Sequence, residues 1–190
     1  MIDPVQRGRR TLVLLAIVFL GPMAVAMALY FSNFQWRPQG TTEHGVLYRP
    51  ARPVAVLGPT GNPGEDAPRG KWALIYIGPG ACPAECRQAL IAMRQVRRAL
   101  GRDLDRIERL FVVTTGAPDT AFLESEHDGI KIITDGNAVA EIVTIAGDIG
   151  EGDLLLADPL GNLVMRYPAG TPMKGIHADL QRLLKISTIG

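Results

Sequence analysis

The chain has 190 residues and a formal net charge of +1, with 20 Lys and Arg residues against 19 Asp and Glu residues. This balance lacks the strongly basic face of nucleic-acid-binding domains, so that class of protein is excluded. Positive charge is concentrated in residues 1–10, which carry a net charge of +2 and leave −1 for the rest of the chain.

The first predicted element is a membrane-spanning helix over Thr11–Phe31, a run of 21 residues without a charged side chain. A bilayer core requires about 20 apolar residues in a helix. We expect Gly21 and Pro22 to kink this helix without breaking it, since single prolines are tolerated in membrane helices. A cleaved signal peptide is the alternative, but its apolar region spans only about 7–15 residues, and no small-residue cleavage motif follows Phe31.

The charges on either side of the predicted span orient it. Three arginines precede the span and only Arg37 directly follows it, so the positive-inside rule places the N-terminus in the cytoplasm. The rest of the chain would then be exported, to the periplasm in a Gram-negative cell. The span would hold it as a single-pass anchor in the inner (cytoplasmic) membrane. The predicted parts are a cytoplasmic tail (1–10), a transmembrane helix (11–31), a tether and N-terminal arm (32–68) and a folded domain (69–190).

Strands and helices alternate along the predicted exported part. In the proline-rich arm the sequence predicts one short strand, Pro53–Leu57. Further on, apolar runs predict strands at 72–77, 109–115, 130–133, 153–157 and 162–166. Helical spacing predicts helices at 83–100, 118–126, 138–145 (with Asn137 as its cap) and 174–184. This order indicates an α/β protein with a central mixed sheet flanked by helices, the order of a thioredoxin-like fold.

The two cysteines of the chain, Cys82 and Cys86, stand at i and i+4 around the start of the first helix of this domain. At this spacing two sulfurs can share a soft metal ion or close a disulfide. A helix N-terminus favours thiolate over thiol, and thiolates suit either Cu(I) binding or thiol–disulfide exchange. The alternative is a structural disulfide that braces the start of the helix, which would stabilise the domain only modestly. We interpret Glu85, between the cysteines, as a first-turn carboxylate that favours the helix dipole, with a weak base as the alternative.

Three histidines, His44, His127 and His177, are predicted to lie on the surface. We expect His127 in a solvated turn, where Glu126 and Asp128 would raise its proton affinity. No pair of histidines has the spacing of a zinc site. A group of arginines on the first helix and just after it is interpreted as a solvated face, with an acidic partner or lipid headgroups as the alternative; its members are Arg87, Arg94, Arg97, Arg98 and Arg102.

A Cys-Pro-x-x-Cys loop after the first core strand, behind a single anchor, resembles the SCO/SenC proteins. The chain is similar in particular to the short SCO-like form; the resembling stretches are 70–72, 93–97 and 183–190. The resemblance implies a membrane-tethered, thioredoxin-like copper chaperone that helps to mature the CuA site of cytochrome c oxidase. It also implies that Cys82 and Cys86 are copper ligands. The histidine that completes the SCO site would fall near Gly150, where 148–153 contains no histidine.

The sequence thus predicts a membrane-anchored, exported assembly factor for cytochrome c oxidase that binds Cu(I) or handles thiols through Cys82 and Cys86. Its expected partners are an oxidase subunit or the copper-site assembly machinery, and no nucleic acid. The alternative is a non-catalytic thioredoxin-like scaffold that docks on an oxidase subunit and keeps a structural disulfide. A thiol–disulfide reductase is the third interpretation. The three-residue cysteine spacing and the lack of a proline between Pro118 and Pro159 argue against a general thioredoxin-type enzyme.

Overall fold

The N-terminal unit of the chain is a single helix. The computed structural model describes residues 4–31, 43–58 and 70–187, and these belong to two units, Met1–Thr41 and Thr42–Gly190. In the first unit, α1 covers Pro4–Phe31 and contains Pro22 in its interior. Within α1, Gly8–Ala28 has a mean hydropathy of 2.4 and is long and apolar enough to cross a membrane. The predicted span over residues 11–31 therefore lies inside an observed helix.

The second unit is built on a mixed sheet. Its strands in the described ranges are β1 (Val46–Pro53), β2 (Trp72–Gly78), β3 (Ile107–Val113), β4 (Lys131–Ile133), β5 (Leu154–Ala157) and β6 (Asn162–Tyr167). They lie in the order β1-β6-β5-β2-β3-β4. The pairs β2–β3 and β3–β4 are parallel, whereas β2–β5, β5–β6 and β1–β6 are antiparallel. The sheet is therefore parallel on one side of β2 and antiparallel on the other.

Helices cover both faces of this sheet. They are α2 (Ala84–Ala99), α3 (Thr120–Glu126), α4 (Gly136–Ala146) and α5 (Met173–Ile186). Successive side chains of a strand point to opposite faces, and β2 shows this directly. Leu74 and Tyr76 belong to a core cluster with residues of α2, α3 and α5, while Ala73 and Ile75 belong to a second cluster with residues of α4. β2 is consequently buried from both sides.

The predicted order of elements is confirmed, with one strand in the wrong place. Pro53–Leu57 is not a strand: β1 ends at Pro53, and Ala55–Leu57 forms a 3-10 turn. The observed strand lies earlier and pairs with β6, beginning with Val46 opposite Arg166. Because β1 is an edge strand, only one side of its backbone must hydrogen-bond, and prolines are tolerated there. The sheet therefore begins inside the predicted arm.

Helix caps differ by one or two residues from the predictions. Asn137 does not cap α4; instead the Asp135 carboxylate accepts a hydrogen bond from the backbone N–H of Ala138 at 2.9 Å. Asp119, predicted in the first turn of α3, is its N-cap and accepts from the N–H of Phe122 at 3.1 Å. In both helices an aspartate satisfies an N–H group that the first turn leaves without a partner. The predicted tether segments 32–42 and 59–68 lie outside the described residues.

Candidate functional site

Cys82 and Cys86 lie together at the junction of β2 and α2. Pro83 is the N-cap of α2, so Cys82 directly precedes the helix and Cys86 lies in its first turn. The two sulfurs are joined in a disulfide, and the Cα atoms are 5.0 Å apart, within the usual range for such a bond. The structure therefore brings together the pair that the sequence singles out.

The disulfide is part of the hydrophobic core. Cys82 is 1% exposed and Cys86 is fully buried. Both belong to the cluster that contains Tyr76, Phe111 and Phe122. Because neither residue is open to solvent, a thiol from another protein reaches either sulfur only when the surrounding loop opens.

Backbone hydrogen bonds hold the cysteine loop against the loop that follows β3. The N–H of Gly80 donates to the carbonyl of Thr115 at 2.8 Å, and the N–H of Asp119 donates to the carbonyl of Gly80 at 3.2 Å. Within the loop, the N–H of Cys82 donates to the carbonyl of Pro79 at 3.1 Å. The position of Cys82 is thus set by two loops that are distant in sequence.

Arg87 closes over the same loop from the first turns of α2. Its Nε donates to the carbonyl oxygen of Cys82 at 3.2 Å. Its guanidinium lies 4.1 Å from the centre of the Phe122 ring, and its Nη2 is 3.8 Å from a carboxylate oxygen of Asp119. Arg87 is exposed, as predicted. It also holds the backbone of Cys82, which has a positive φ of 46°.

The turn at Gly150, where the third SCO ligand was expected, lies beside the start of α2. A Cβ atom built on Gly152 would be 4.0 Å from the Cβ of Glu85. The nearby Asp153 carboxylate shapes this turn, since it accepts hydrogen bonds from the N–H groups of Gly150 and Ala169, both at 2.8 Å. Residues 148–153 are three acidic residues, two glycines and Ile149, so this turn offers no imidazole.

Two acidic side chains, Glu85 and Glu151, lie near the cysteine loop. Burial raises the pKa of Tyr76, and the neighbouring Glu151 and Glu85 raise it further. A cavity of about 210 Å³ opens here, and both glutamates line it. Across the described residues, no group of three or more His, Cys, Asp and Glu side chains is arranged to hold a metal ion.

His127 is buried, contrary to the prediction of a solvated turn. It is 0% exposed, and its ring packs edge-on against Phe122 with the centroids 5.0 Å apart. Burial lowers the pKa of His127, and Arg94 and Arg109 lower it further. The expected increase in proton affinity is therefore wrong in direction, because the two flanking carboxylates matter less than burial and the arginines.

The other two histidines have hydrogen-bond partners in the domain. The His44 side chain is half exposed, and its Nδ1 lies 3.1 Å from the buried carboxylate of Asp179 on α5. The backbone N–H of His44 donates to the same carboxylate at 2.8 Å. The Nε2 of His177 lies 3.1 Å from the carbonyl of Ala99. Asp179, Asp153 and Arg109 were not predicted from the sequence, where their only signal is a charged residue next to an apolar stretch.

Two family descriptions match the chain. Residues 72–187 match "Transmembrane-like, thioredoxin-like, C-terminal domain", and residues 3–33 match "Transmembrane-like, N-terminal domain". None of the curated proteins is a match.

Similar solved structures include two Sco1 proteins. Apo Sco1 from Thermus thermophilus has 21% sequence identity and a TM-score of 0.58, over 77% of this chain and 99% of that one. Copper-bound yeast Sco1 has 18% identity and a TM-score of 0.53, over 64% of this chain and 80% of that one. At these identities the similarity establishes the fold, and it confirms the thioredoxin-like fold and the resemblance to the SCO proteins.

Proposed function

Because this chain belongs to the transmembrane-like, thioredoxin-like family, we propose that it is a membrane-anchored assembly factor for cytochrome c oxidase whose exported domain exchanges thiols through Cys82 and Cys86. The observation that carries the proposal is the cysteine pair at the N-terminus of α2, with Cα atoms 5.0 Å apart. The apolar helix α1 supports an anchor. Arginines before it support a cytoplasmic N-terminus and an exported, periplasmic domain.

The start of α2 favours the charged form of a reduced cysteine. The first backbone bond of the helix runs from the N–H of Arg87 to the carbonyl of Pro83 at 3.0 Å, so the N–H groups of residues 84–86 have no acceptor within the helix. These groups and the helix dipole stabilise negative charge. The guanidinium of Arg87 adds positive charge next to Cys82. Thiolate is the form that attacks a disulfide.

The proposed reaction reduces a disulfide in an oxidase subunit. Once the cysteine loop opens, a thiolate of the reduced pair attacks one sulfur of the partner, the partner's S–S bond breaks, and a mixed disulfide forms. The second cysteine then attacks this mixed disulfide. The partner leaves as a dithiol, and Cys82 and Cys86 are left as the disulfide of the structure. Two electrons pass to the partner, and a dithiol donor in the exported compartment must return the pair to its reduced state.

Cu(I) as cargo is a second form of the same proposal. Two thiolates hold Cu(I) in a linear, two-coordinate geometry, and soft sulfur ligands select Cu(I). The described residues offer no third donor beside Cys82 and Cys86, so Cu(II) would be held poorly. Two ligands are therefore enough for a site that holds Cu(I) and transfers it to the copper-site assembly machinery. A permanent copper centre with three ligands would need a further donor.

Burial of the pair favours a different function, a scaffold that docks on an oxidase subunit. A disulfide with both cysteines at most 1% exposed resembles a structural bond. On this alternative the domain binds its partner through its surface, and the bond only braces the start of α2.

The reduction potential of the pair separates exchange from a brace. The full-length chain in a non-ionic detergent would be equilibrated in glutathione redox buffers and the free thiols counted. A potential above about −270 mV supports exchange, and one below about −300 mV supports a structural bond. An anaerobic Cu(I) competition titration on the reduced chain, with the double variant Cys82→Ser/Cys86→Ser as control, tests the copper form. One-to-one binding that the variant loses would establish it.

A further inference from the structure

A second cavity, of about 260 Å³, is lined almost entirely by charged side chains. It lies where α2, the start of β3 and the end of α3 meet. Its charged lining residues are Arg94, Arg97, Arg98, Arg109, Glu126 and Asp128. Four guanidinium groups thus face two carboxylate residues, and the cavity carries excess positive charge.

Three of the four arginines of this cavity donate to backbone carbonyl groups, which are neutral. Arg94 donates from Nη1 to the carbonyl of Glu126, and Arg97 donates from Nε to the carbonyl of Ile107 at 2.7 Å. Arg109 donates from Nη2 to the carbonyl of His127 at 3.3 Å. Backbone carbonyls fix the orientation of a guanidinium without cancelling its charge. Arg97 Nη2 lies 3.7 Å from a carboxylate oxygen of Asp105, whose side chain is 85% exposed. Because water screens such an exposed ion pair, the pair contributes little to stability.

Arg109 leaves a buried donor unused. The residue is 3% exposed, yet its Nη1 has no hydrogen-bond partner among the described residues. The Nε of Arg94 is likewise buried without a partner there. An unsatisfied buried donor is costly, and the cost is highest for a charged group. Burial, followed by the positive charges of Arg97, Arg94 and Arg98, lowers the pKa of Arg109 to about 10.

We propose that this cavity binds a phosphate group. Guanidinium groups present pairs of N–H donors in a plane that matches two oxygens of a phosphate. Arg109 supplies a donor at the buried end of the cavity. Arg98 is exposed and lines the cavity from the solvent side. A bound dianion would satisfy the unused donors and cancel the excess charge. The phosphate comes either as a free ion or as the headgroup of a membrane phospholipid, and the site makes the same contacts with both.

The test uses the full-length chain in a neutral, non-ionic detergent without phosphate buffer. Isothermal titration calorimetry would measure the binding of inorganic phosphate and, separately, of dihexanoylphosphatidic acid kept below its micellar concentration. Arg98→Gln removes one exposed guanidinium from the cavity and should weaken binding by about tenfold. Arg102→Gln is the matched control, because Arg102 is an exposed arginine outside the lining, and it should leave affinity unchanged.

A second variant tests the buried donor. Arg109→Gln should abolish binding, and its circular dichroism spectrum would show whether the domain still folds; if it does not, Arg98→Gln decides the matter. Binding of phosphate but not of the lipid identifies a site for the free ion, and binding of the lipid alone identifies a headgroup site. Binding of neither probe, or equal loss in Arg98→Gln and Arg102→Gln, would overturn the proposal.

Discussion

Gly80 faces the carbonyl group of Ala117 so closely that a Cβ atom built on Gly80 would lie 2.4 Å from the Ala117 oxygen. The contact joins the loop that carries Cys82 to the loop after β3. A side chain at position 80 would therefore push the two loops apart. The geometry of the cysteine pair depends on a residue with no side chain of its own.

The first prediction concerns this close approach. Gly80→Ala should destabilise the domain by about 2 kcal/mol or more, because the added methyl group meets backbone atoms that cannot rotate away. Gly136→Ala is the control, since a Cβ atom there meets nothing within 4 Å. The stability of both variants is measured by urea unfolding of the full-length chain in detergent, with the fluorescence of the buried Trp72 as the signal. Equal midpoints for the two variants would contradict the prediction.

The second prediction concerns the disulfide. Cys82→Ser/Cys86→Ser should lower the free energy of unfolding by about 2 kcal/mol while the domain stays folded, because a bond between residues 4 apart in sequence restrains a short loop. Reduction by dithiothreitol should lower the free energy of unfolding of the wild type by a similar amount and should leave that of the variant unchanged. Loss of the far-UV circular dichroism signal of the variant would show instead that the bond is required for folding.

The third prediction concerns pH. The pKa of His127 is lowered in the folded protein, so between its unfolded value near 6.5 and the folded value the unfolded state binds more protons. Stability should therefore fall as pH drops below about 6.5, by at most about 1.4 kcal/mol per pH unit from this residue. Comparing urea midpoints of the wild type between pH 5 and 8 with those of His127→Leu isolates this contribution.

Leucine suits that comparison because neither ring nitrogen of His127 has a hydrogen-bond partner among the described residues. His177→Leu, at a partly exposed site, is the control and should keep the wild-type dependence on pH. A His127→Leu variant that still loses stability as steeply as the wild type would show that other groups cause the effect.

The fourth prediction concerns the attachment of His44 to α5. His44→Ala should cost about 1 kcal/mol, because it removes a hydrogen-bond partner from the Asp179 carboxylate, which is 3% exposed. His177→Ala, whose ring nitrogen contacts the carbonyl of Ala99 in an exposed position, should cost clearly less. The thermal unfolding midpoints of the two variants measure this difference in stability. A lower midpoint for His177→Ala than for His44→Ala would refute the prediction.

The elements of the domain were predictable because their signals are local. β2 is an apolar run buried on both sides, and the buried residues of α2, including Cys86, Leu90 and Met93, recur at helical spacing. Both patterns follow from the periods of strands and helices alone. β1 was misplaced because its prolines argue against a strand, and only pairing with β6 at the edge of the sheet makes such a strand stable.

The chemistry of single residues was predictable only in part. The spacing of Cys82 and Cys86 and the helix start between them are local, so the sequence by itself determined that these sulfurs meet. Burial of His127, the unused donor of Arg109 and the contact of Gly80 with Ala117 depend on elements far apart in the chain. Only the tertiary structure decided them, because desolvation and close packing depend on which segments surround a residue in space.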